Sequence, residues 1–451
     1  MFPAETSLIP ATVALVRFYI ENGFLVFFHN YPFWYLGSTP FKFLIGPIIP
    51  IITRFIGILL PNVSLFNILI YFVILSFVIS AVGWGILVKK ITNNKILTFL
   101  VVFIFLILPG KYFTAFGLEE ATYIIARNLL PFLFLFILEK KKITSILFLS
   151  LILLINTSIL TQSLVGIGAI SLNLKAFKKN LALILYSLIV ITFWYTPTYW
   201  LTILFNPSIG GLSLGKLSLR VFELVRSLLP VLLAFFVVRL GKIKRPILER
   251  FGLIWFGVFT FLTFYRFVAD YDFWSDWTAW LPELEIGFAI LFTYYYQAKS
   301  YKNILCIILI ILLPTYIIIK NISFKNLITS SPPRYMQSID KLSKLSDGKN
   351  VFLSGSSVFW VNAFYNINQV RGGKDQVSMH KTWDKASYEF REGDDVEKTF
   401  IWLKNLNINY VLVHTSESQE YYKDFQNIYK WNNVGEVVWQ DNGDFIVKTS
   451  D

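Results

Sequence analysis

The sequence predicts a polytopic α-helical membrane domain of about ten spans, followed by a soluble α/β domain outside the membrane. Composition is the first reason. Of 451 residues, 55% are hydrophobic and only 15% charged, at a mean hydropathy of +0.58. So few charges cannot cover that much apolar surface in water. The second reason is spacing. Apolar runs of about 20 residues, enough to cross about 30 Å of hydrocarbon, recur from about residue 64 to residue 320. The third is a change of composition after Ser330-Ser331-Pro332-Pro333, where alternating strand and helix patterns begin.

The predicted spans lie at 64–88, 95–112, 120–138, 181–204, 220–239, 251–267, 283–297 and 303–320. The apolar stretch 143–173 is too long for one pass and polar in its middle, at Asn156, Thr157, Ser158, Thr161, Gln162 and Ser163. Two short spans meeting at that corner fit better, with polar backbone lining a cavity. Charge supports the pairing. Loops 89–95, 139–142, 174–180, 239–250 and 298–302 then fall on one side and hold 16 Lys/Arg; the opposite loops 109–119, 156–163, 205–220 and 266–282 hold 4. Basic loops stay cytoplasmic, so the chain beyond residue 321 is expected outside the plasma membrane.

The N-terminus falls outside too, so either a first transmembrane helix precedes Met1, the favoured reading, or the chain inserts in an unusual way. Residues 7–20 and 41–60 read as amphipathic helices on the outer membrane face, joined by the aromatic loop 24–39. The alternative for 41–60 is one more span, disfavoured by Pro47, Pro50, Lys42 and Arg54. The expected domains are therefore 1–63 (external helices and first loop), 64–320 (transmembrane), 321–333 (linker) and 334–451 (α/β).

Residues 1–320 carry 26 Lys/Arg against 12 Asp/Glu, whereas 321–451 carry 15 against 16. The net charge of +13 thus sits in the apolar part. Its expected partners are anionic lipid headgroups, not nucleic acid. Cys306 is alone, so no disulfide forms within the chain, and the three histidines lack metal-site spacing. In the last domain, helices are expected at 334–346, 394–406 and 417–430, and strands at 350–354 and 409–414. A hairpin turning at Asn442-Gly443 should end the chain.

Acids beside membrane spans are costly and therefore candidates for function. Glu119-Glu120 open a helix that contains Arg127; Glu120 lies seven residues before Arg127, two turns away on one helix face. Asp270, Asp272 and Asp276 form an acidic aromatic loop, followed by Glu283 and Glu285. Such carboxylates can bind a divalent ion or act as a base toward an acceptor hydroxyl. They can equally complement a helix dipole or sit in a solvated loop. Arg127, inside a span, needs an anionic partner such as a lipid phosphate. In the outer domain Arg371, followed by Gly372-Gly373, is a candidate approach to phosphate or sugar, or simply a turn.

The stretch ENGFLVFFHNYPFWYLGSTPFKFLIGPIIP (21–50) resembles the first external loop of GT-C-type membrane glycosyltransferases. More narrowly, it resembles the membrane proteins called 6-pyruvoyl-tetrahydropterin-synthase-related. GLEEATYIIARNLLP (117–131), WLPELEIGFAIL (280–291), FLSGSS (352–357) and QVRGG (369–373) are similar to later blocks of that family. Pterin chemistry is not implied, since the sequence cannot build a histidine-ligated zinc site. The resemblance implies transfer of a sugar from a polyprenyl-phosphate-linked donor to an acceptor on the outer face, with magnesium or manganese as a candidate cofactor. It places the family's first essential acid near Ser7, where Glu5 is the nearest carboxylate. Glu120 matches the second acidic position, and Glu283 or Glu285 a later one. Arg127 would hold the donor phosphate, and Asp272 and Asp276 the acceptor or metal. The other reading is a protein of this fold that has lost the chemistry and serves in cell-surface assembly.

Overall fold

The apolar run INYVLVH becomes the central strand of a four-stranded sheet. The computed structural model describes residues 1–171, 174–206, 246–268, 280–321 and 327–449. They divide into two units, Met1–Leu69 with Trp194–Leu217 and Thr329–Asp451, and Ile70–Phe193 with Ser218–Ile328.

In the first unit the sheet comprises β1 (Asn350–Phe352), β2 (Ile408–His414), β3 (Gly435–Asp441) and β4 (Asp444–Thr449). Their order is β1-β2-β4-β3, with β1 parallel to β2 and the other neighbours antiparallel. Six of the seven β2 residues are buried, as a strand covered on both faces requires. Asn442 and Gly443 take φ of +48° and +81°, the left-handed pair that a two-residue hairpin needs. Asp395 caps the helix Val396–Asn405 by accepting from the Lys398 N–H at 3.0 Å.

Two helices, Ser357–Phe364 and Trp383–Arg391, were not expected from the sequence. SVFWVNAF is apolar nearly all round because it is buried, in part against the N-terminal helix Ile9–Asn22. The helix expected at 417–430 is absent. That segment is irregular up to the short turn Ile428–Lys430. Its acids, Glu420 and Asp424, reach instead for backbone N–H groups of residues 355–357, which competes with helix formation.

The aromatic loop 24–39 packs onto the α/β domain within this same unit. Trp34 donates from Nε1 to Asn362 at 3.0 Å, and Tyr35 donates to Asp375 at 2.9 Å. Backbone bonds join Leu36 N–H to the Gln369 carbonyl and Gln369 N–H to the Phe33 carbonyl. Trp34 and Tyr35 are fully buried. The helix Ile48–Leu59 leaves Ile51, Ile52, Phe55, Ile58 and Leu59 exposed, an uncovered apolar face.

Among its described residues the second unit is helical, apart from its last residue, Ile328, which begins a two-residue strand. Among the described residues, two helices are long and apolar enough to cross a membrane, Leu65–Thr92 and Ala121–Leu138; the pair Lys95–Ile107 and Gly110–Gly117, bent by 43°, is either a broken third span or a re-entrant loop. The polar corner breaks the chain where expected: Lys142–Ile155 ends at Asn156, a short turn follows, and Leu160–Ile170 resumes. The expected span 181–204 is broken over residues 192–196: Leu174–Ile191 ends in this unit, and Pro197–Phe205, which starts at a proline, belongs to the first unit. The core of the second unit gathers Trp84, Phe134, Phe251 and Trp255. Ile247–Val268 and Leu281–Gln297 approach closely because Gly287 faces the Phe256 backbone; a Cβ there would lie 2.8 Å from its Cα. The expected span 220–239 lies outside the described residues.

Candidate functional site

Chain geometry at Glu119-Glu120 decides the site in the helical unit. Helix Gly110–Gly117 stops, Leu118 is non-helical, and Glu120 is the extended N-cap residue of Ala121–Asn128. Helical spacing therefore does not carry across the two acids. Glu119, not Glu120, meets Arg127: both its carboxylate oxygens lie 3.0 Å from Arg127 Nη1. The pair is buried, Glu119 at 7% and Arg127 at 3% exposure.

Glu120 is half-buried and held by a relay. Asn156 donates to the Thr122 hydroxyl at 3.0 Å, and Thr122 donates to Glu120 Oε2 at 3.0 Å. A carboxylate oriented by a second and a third group is the arrangement a base requires. Asn156 comes from the polar corner, as does Gln162. The Gln162 amide donates to Glu283 Oε1 at 3.2 Å and to the Tyr123 hydroxyl at 2.5 Å. Among the described residues, Arg127 Nη2, Glu283 Oε2 and Gln162 Oε1 are buried without a hydrogen-bond partner, and the Arg127 and Glu283 charges lie within electrostatic range. Buried polar atoms of an ionic cluster are costly unless water or another polar group meets them.

Glu285 is used differently. It accepts from Gly110 N–H at 2.6 Å and Lys111 N–H at 3.0 Å, satisfying the start of the bent helix. Lys111 is fully buried and donates to the carbonyls of Phe105 and Leu108, with its ammonium 4.3 Å from the Tyr112 ring centroid.

The first unit has its own charged constellation, around the turn between β1 and Ser357–Phe364. Glu420 accepts from Ser356 and Ser357 N–H at 2.8 and 3.0 Å; Asp424 accepts from Gly355 N–H at 3.1 Å and from the Ser354 hydroxyl at 2.5 Å. Arg371 donates to Ser354 Oγ at 3.3 Å and lies 3.9 Å from both Asp375 and Asp424. Arg391 stands 3.6 Å from Asp424. Burial, and then the Glu420 charge, push Glu5 up to about 7; burial also raises Glu420 and Asp375. Gly372 and Gly373 serve packing. A Cβ on either would lie 2.8–2.9 Å from Trp34 atoms, so only glycine lets this backbone pass the indole.

Of the residues singled out in the sequence, Glu120, Arg127, Glu283 and Glu285 belong to the helical unit, and Glu5 and Arg371 to the other. Asp272 and Asp276 lie outside the described residues. Nothing local in the sequence marks Thr122 for a role, whereas Asn156 and Gln162 belong to the polar corner that interrupts the apolar stretch 143–173. Glu420 and Asp424 gave no signal, because their partners lie more than 60 residues away. Among the described residues, no three His, Cys, Asp or Glu side chains assemble as metal ligands. Glu119 is committed to Arg127 and Glu285 to backbone N–H groups, so these acids do not fit a divalent ion.

A helical bundle with buried ionic groups and a C-terminal sheet domain is a fold that solved structures share. The chain is similar to the structure of archaeal oligosaccharyltransferase AglB from Archaeoglobus fulgidus in complex with an inhibitory peptide and a dolichol-phosphate. The TM-score is 0.50 at 13% identity, over 98% of this chain and 70% of that one. It is likewise similar to the Archaeoglobus fulgidus oligosaccharyltransferase in the apo form, at TM-score 0.50 and 14% identity, over 99% and 71%. At such identities the likeness is one of fold. No protein-family model matches the sequence, and neither does any curated protein.

Proposed function

We propose that this chain is a membrane-embedded glycosyltransferase that moves a sugar from a polyprenyl-phosphate-linked donor to an acceptor on the outer face of the plasma membrane. The observation that carries the reading is the oriented carboxylate: Asn156 and Thr122 hold Glu120 beside a buried cluster with unfilled polar atoms. The shared fold supports it, since the A. fulgidus enzyme was captured with a dolichol-phosphate. In the proposed reaction Glu120 takes the proton of the acceptor as it attacks the anomeric carbon. The bond from that carbon to the acceptor forms, the bond to phosphate oxygen breaks, and polyprenyl phosphate leaves. Arg127 Nη2 and Glu283 contact the donor; Glu5, in the N-terminal segment, and Arg371, in the α/β domain, belong to the other unit and keep their assignments as a catalytic and a substrate-binding residue. Asp272 and Asp276 keep their assignment to acceptor or metal, and Glu285 supports the fold around the site.

The same proposal includes about ten membrane crossings, basic loops inside, and the α/β domain outside. The exposed apolar face of Ile48–Leu59 would then rest on the outer leaflet. The narrower kinship with the 6-pyruvoyl-tetrahydropterin-synthase-related membrane proteins is also part of it.

A second reading is a binding or assembly protein of this fold without catalysis. It is favoured by the internal use of Glu119 and Glu285. Glu120→Gln separates the two. Transfer of radiolabelled sugar from a polyprenyl-phosphate donor should fall about 10²-fold or more, the usual scale for a general base, while the melting temperature holds. Equal transfer by wild type and variant removes Glu120 from the mechanism. No transfer by a stably folded wild type favours the second reading.

A further inference from the structure

The α/β domain holds a cavity of about 200 Å³ that none of the preceding chemistry uses. Arg334, Gln337, Gln419, Asp441 and Asn442 form its exposed rim. Its floor includes Asp444, 3% exposed. No aliphatic side chain lines it.

The floor is built rather than incidental. Asp444 Oδ2 accepts from the Ser338 hydroxyl at 2.5 Å, and Oδ1 lies 2.8 Å from His414 Nδ1. Both carboxylate oxygens are thus engaged, and the residue cannot swing out to coordinate an ion. The rim is held at two places. Asn442 sits at φ +48° in the hairpin turn and donates to Asp441 at 3.0 Å. Gln337 lies in the first turn of the helix Met336–Ser346.

The lining chemistry selects the ligand class. An acyl chain finds one ring, that of Tyr335, and no aliphatic wall. A phosphate or other dianion would face Asp441 and Asp444 at close range, and a cation would face Arg334 at the positive end of an 11-residue helix. What remains is a neutral polyhydroxylated molecule. Planar amide, carboxylate and guanidinium groups offer paired donors and acceptors that match vicinal hydroxyls. We infer that this cavity is a saccharide-binding subsite of the outer domain, separate from the Glu119–Arg127 cluster. The inference stands on the cavity alone and holds whether or not the chain is catalytic.

The test uses the full chain in a detergent without a sugar headgroup, such as lauryldimethylamine oxide, because a maltoside would compete. Ligand-observed saturation-transfer NMR is run against glucose, galactose, mannose, N-acetylglucosamine and rhamnose, with inorganic phosphate as a competitor. At least one sugar should bind. Gln337→Ala combined with Asn442→Gly, which keeps the left-handed turn, should weaken it about tenfold, the scale of one or two lost hydrogen bonds. Melting temperature should be unchanged. Binding by none of the sugars overturns the inference, as does binding that the double variant leaves intact or that phosphate displaces. Sugar binding without transfer activity would leave the subsite standing while counting against the enzyme reading.

Discussion

Glu119 and Glu120 are adjacent in sequence and have different partners. Glu119 accepts from a buried guanidinium, and Glu120 accepts a hydroxyl hydrogen bond that Asn156 supports. The junction between two helices separates them, because each residue leaves the chain in its own direction once helical dihedrals end. Asn156→Ala tests the relay. Losing an orienting group while keeping the base should lower transfer less than Glu120→Gln does, and Asn156→Asp should not restore it, since a carboxylate cannot donate to Thr122. Full activity in Asn156→Ala would show that the relay does not position the base. Glu5 gives a pH prediction. Its carboxyl is raised from the ordinary range to about 7, so the ionised form is disfavoured in the fold. The associated stability is full below the ordinary carboxylate pKa and is lost as pH rises through about 7. Melting temperature should therefore fall between about pH 5 and pH 8, and Glu5→Gln should flatten part of that fall. A wild type and variant with parallel pH profiles would contradict the burial of this carboxyl.

At the scale of elements, close approaches are set by glycine and breaks by polar corners. The helix pair Ile247–Val268 and Leu281–Gln297 depends on Gly287 because the facing group is Phe256 backbone, which cannot rotate aside. Gly287→Val should cost about 1–3 kcal/mol by overpacking, read as a lower thermal midpoint in detergent. An unchanged midpoint would mean the helices do not approach as described. Gly166 is a milder case, since the group it faces is the movable ring of Phe134. In the α/β domain the hairpin at Asn442-Gly443 formed where its turn residues required. The segment 417–430 did not become a helix, because its acids bond to backbone N–H groups of a turn over 60 residues away.

For the whole molecule, the charge asymmetry between alternating loops makes the strongest prediction. In a Cys306→Ser background, single cysteines at 140–142, 175–179 and 242–250 should resist an impermeant thiol reagent in intact cells, and cysteines within 334–451 should react. Labelling at position 178 would overturn the topology. The apolar faces left exposed on Leu65–Thr92, Lys95–Ile107 and Lys142–Ile155, including Leu75, Val78, Phe99, Ile143 and Leu147, are what a lipid-facing surface requires.

The sequence by itself determined the helical and α/β classes of the two parts, the broken pair at 156–163 and the final hairpin. Each rests on a short-range signal: an apolar run of fixed length, a polar interruption, a turn that only certain residues can make. Only the tertiary structure decided which carboxylate meets Arg127, that Glu285 is spent on Gly110 and Lys111, and that Glu420 and Asp424 fold back onto the 354–357 turn. Local propensity fixes dihedrals over a few residues. These pairings join groups as far as 175 residues apart, or turn on the path of the chain at a helix break, where periodicity no longer says which way a side chain points.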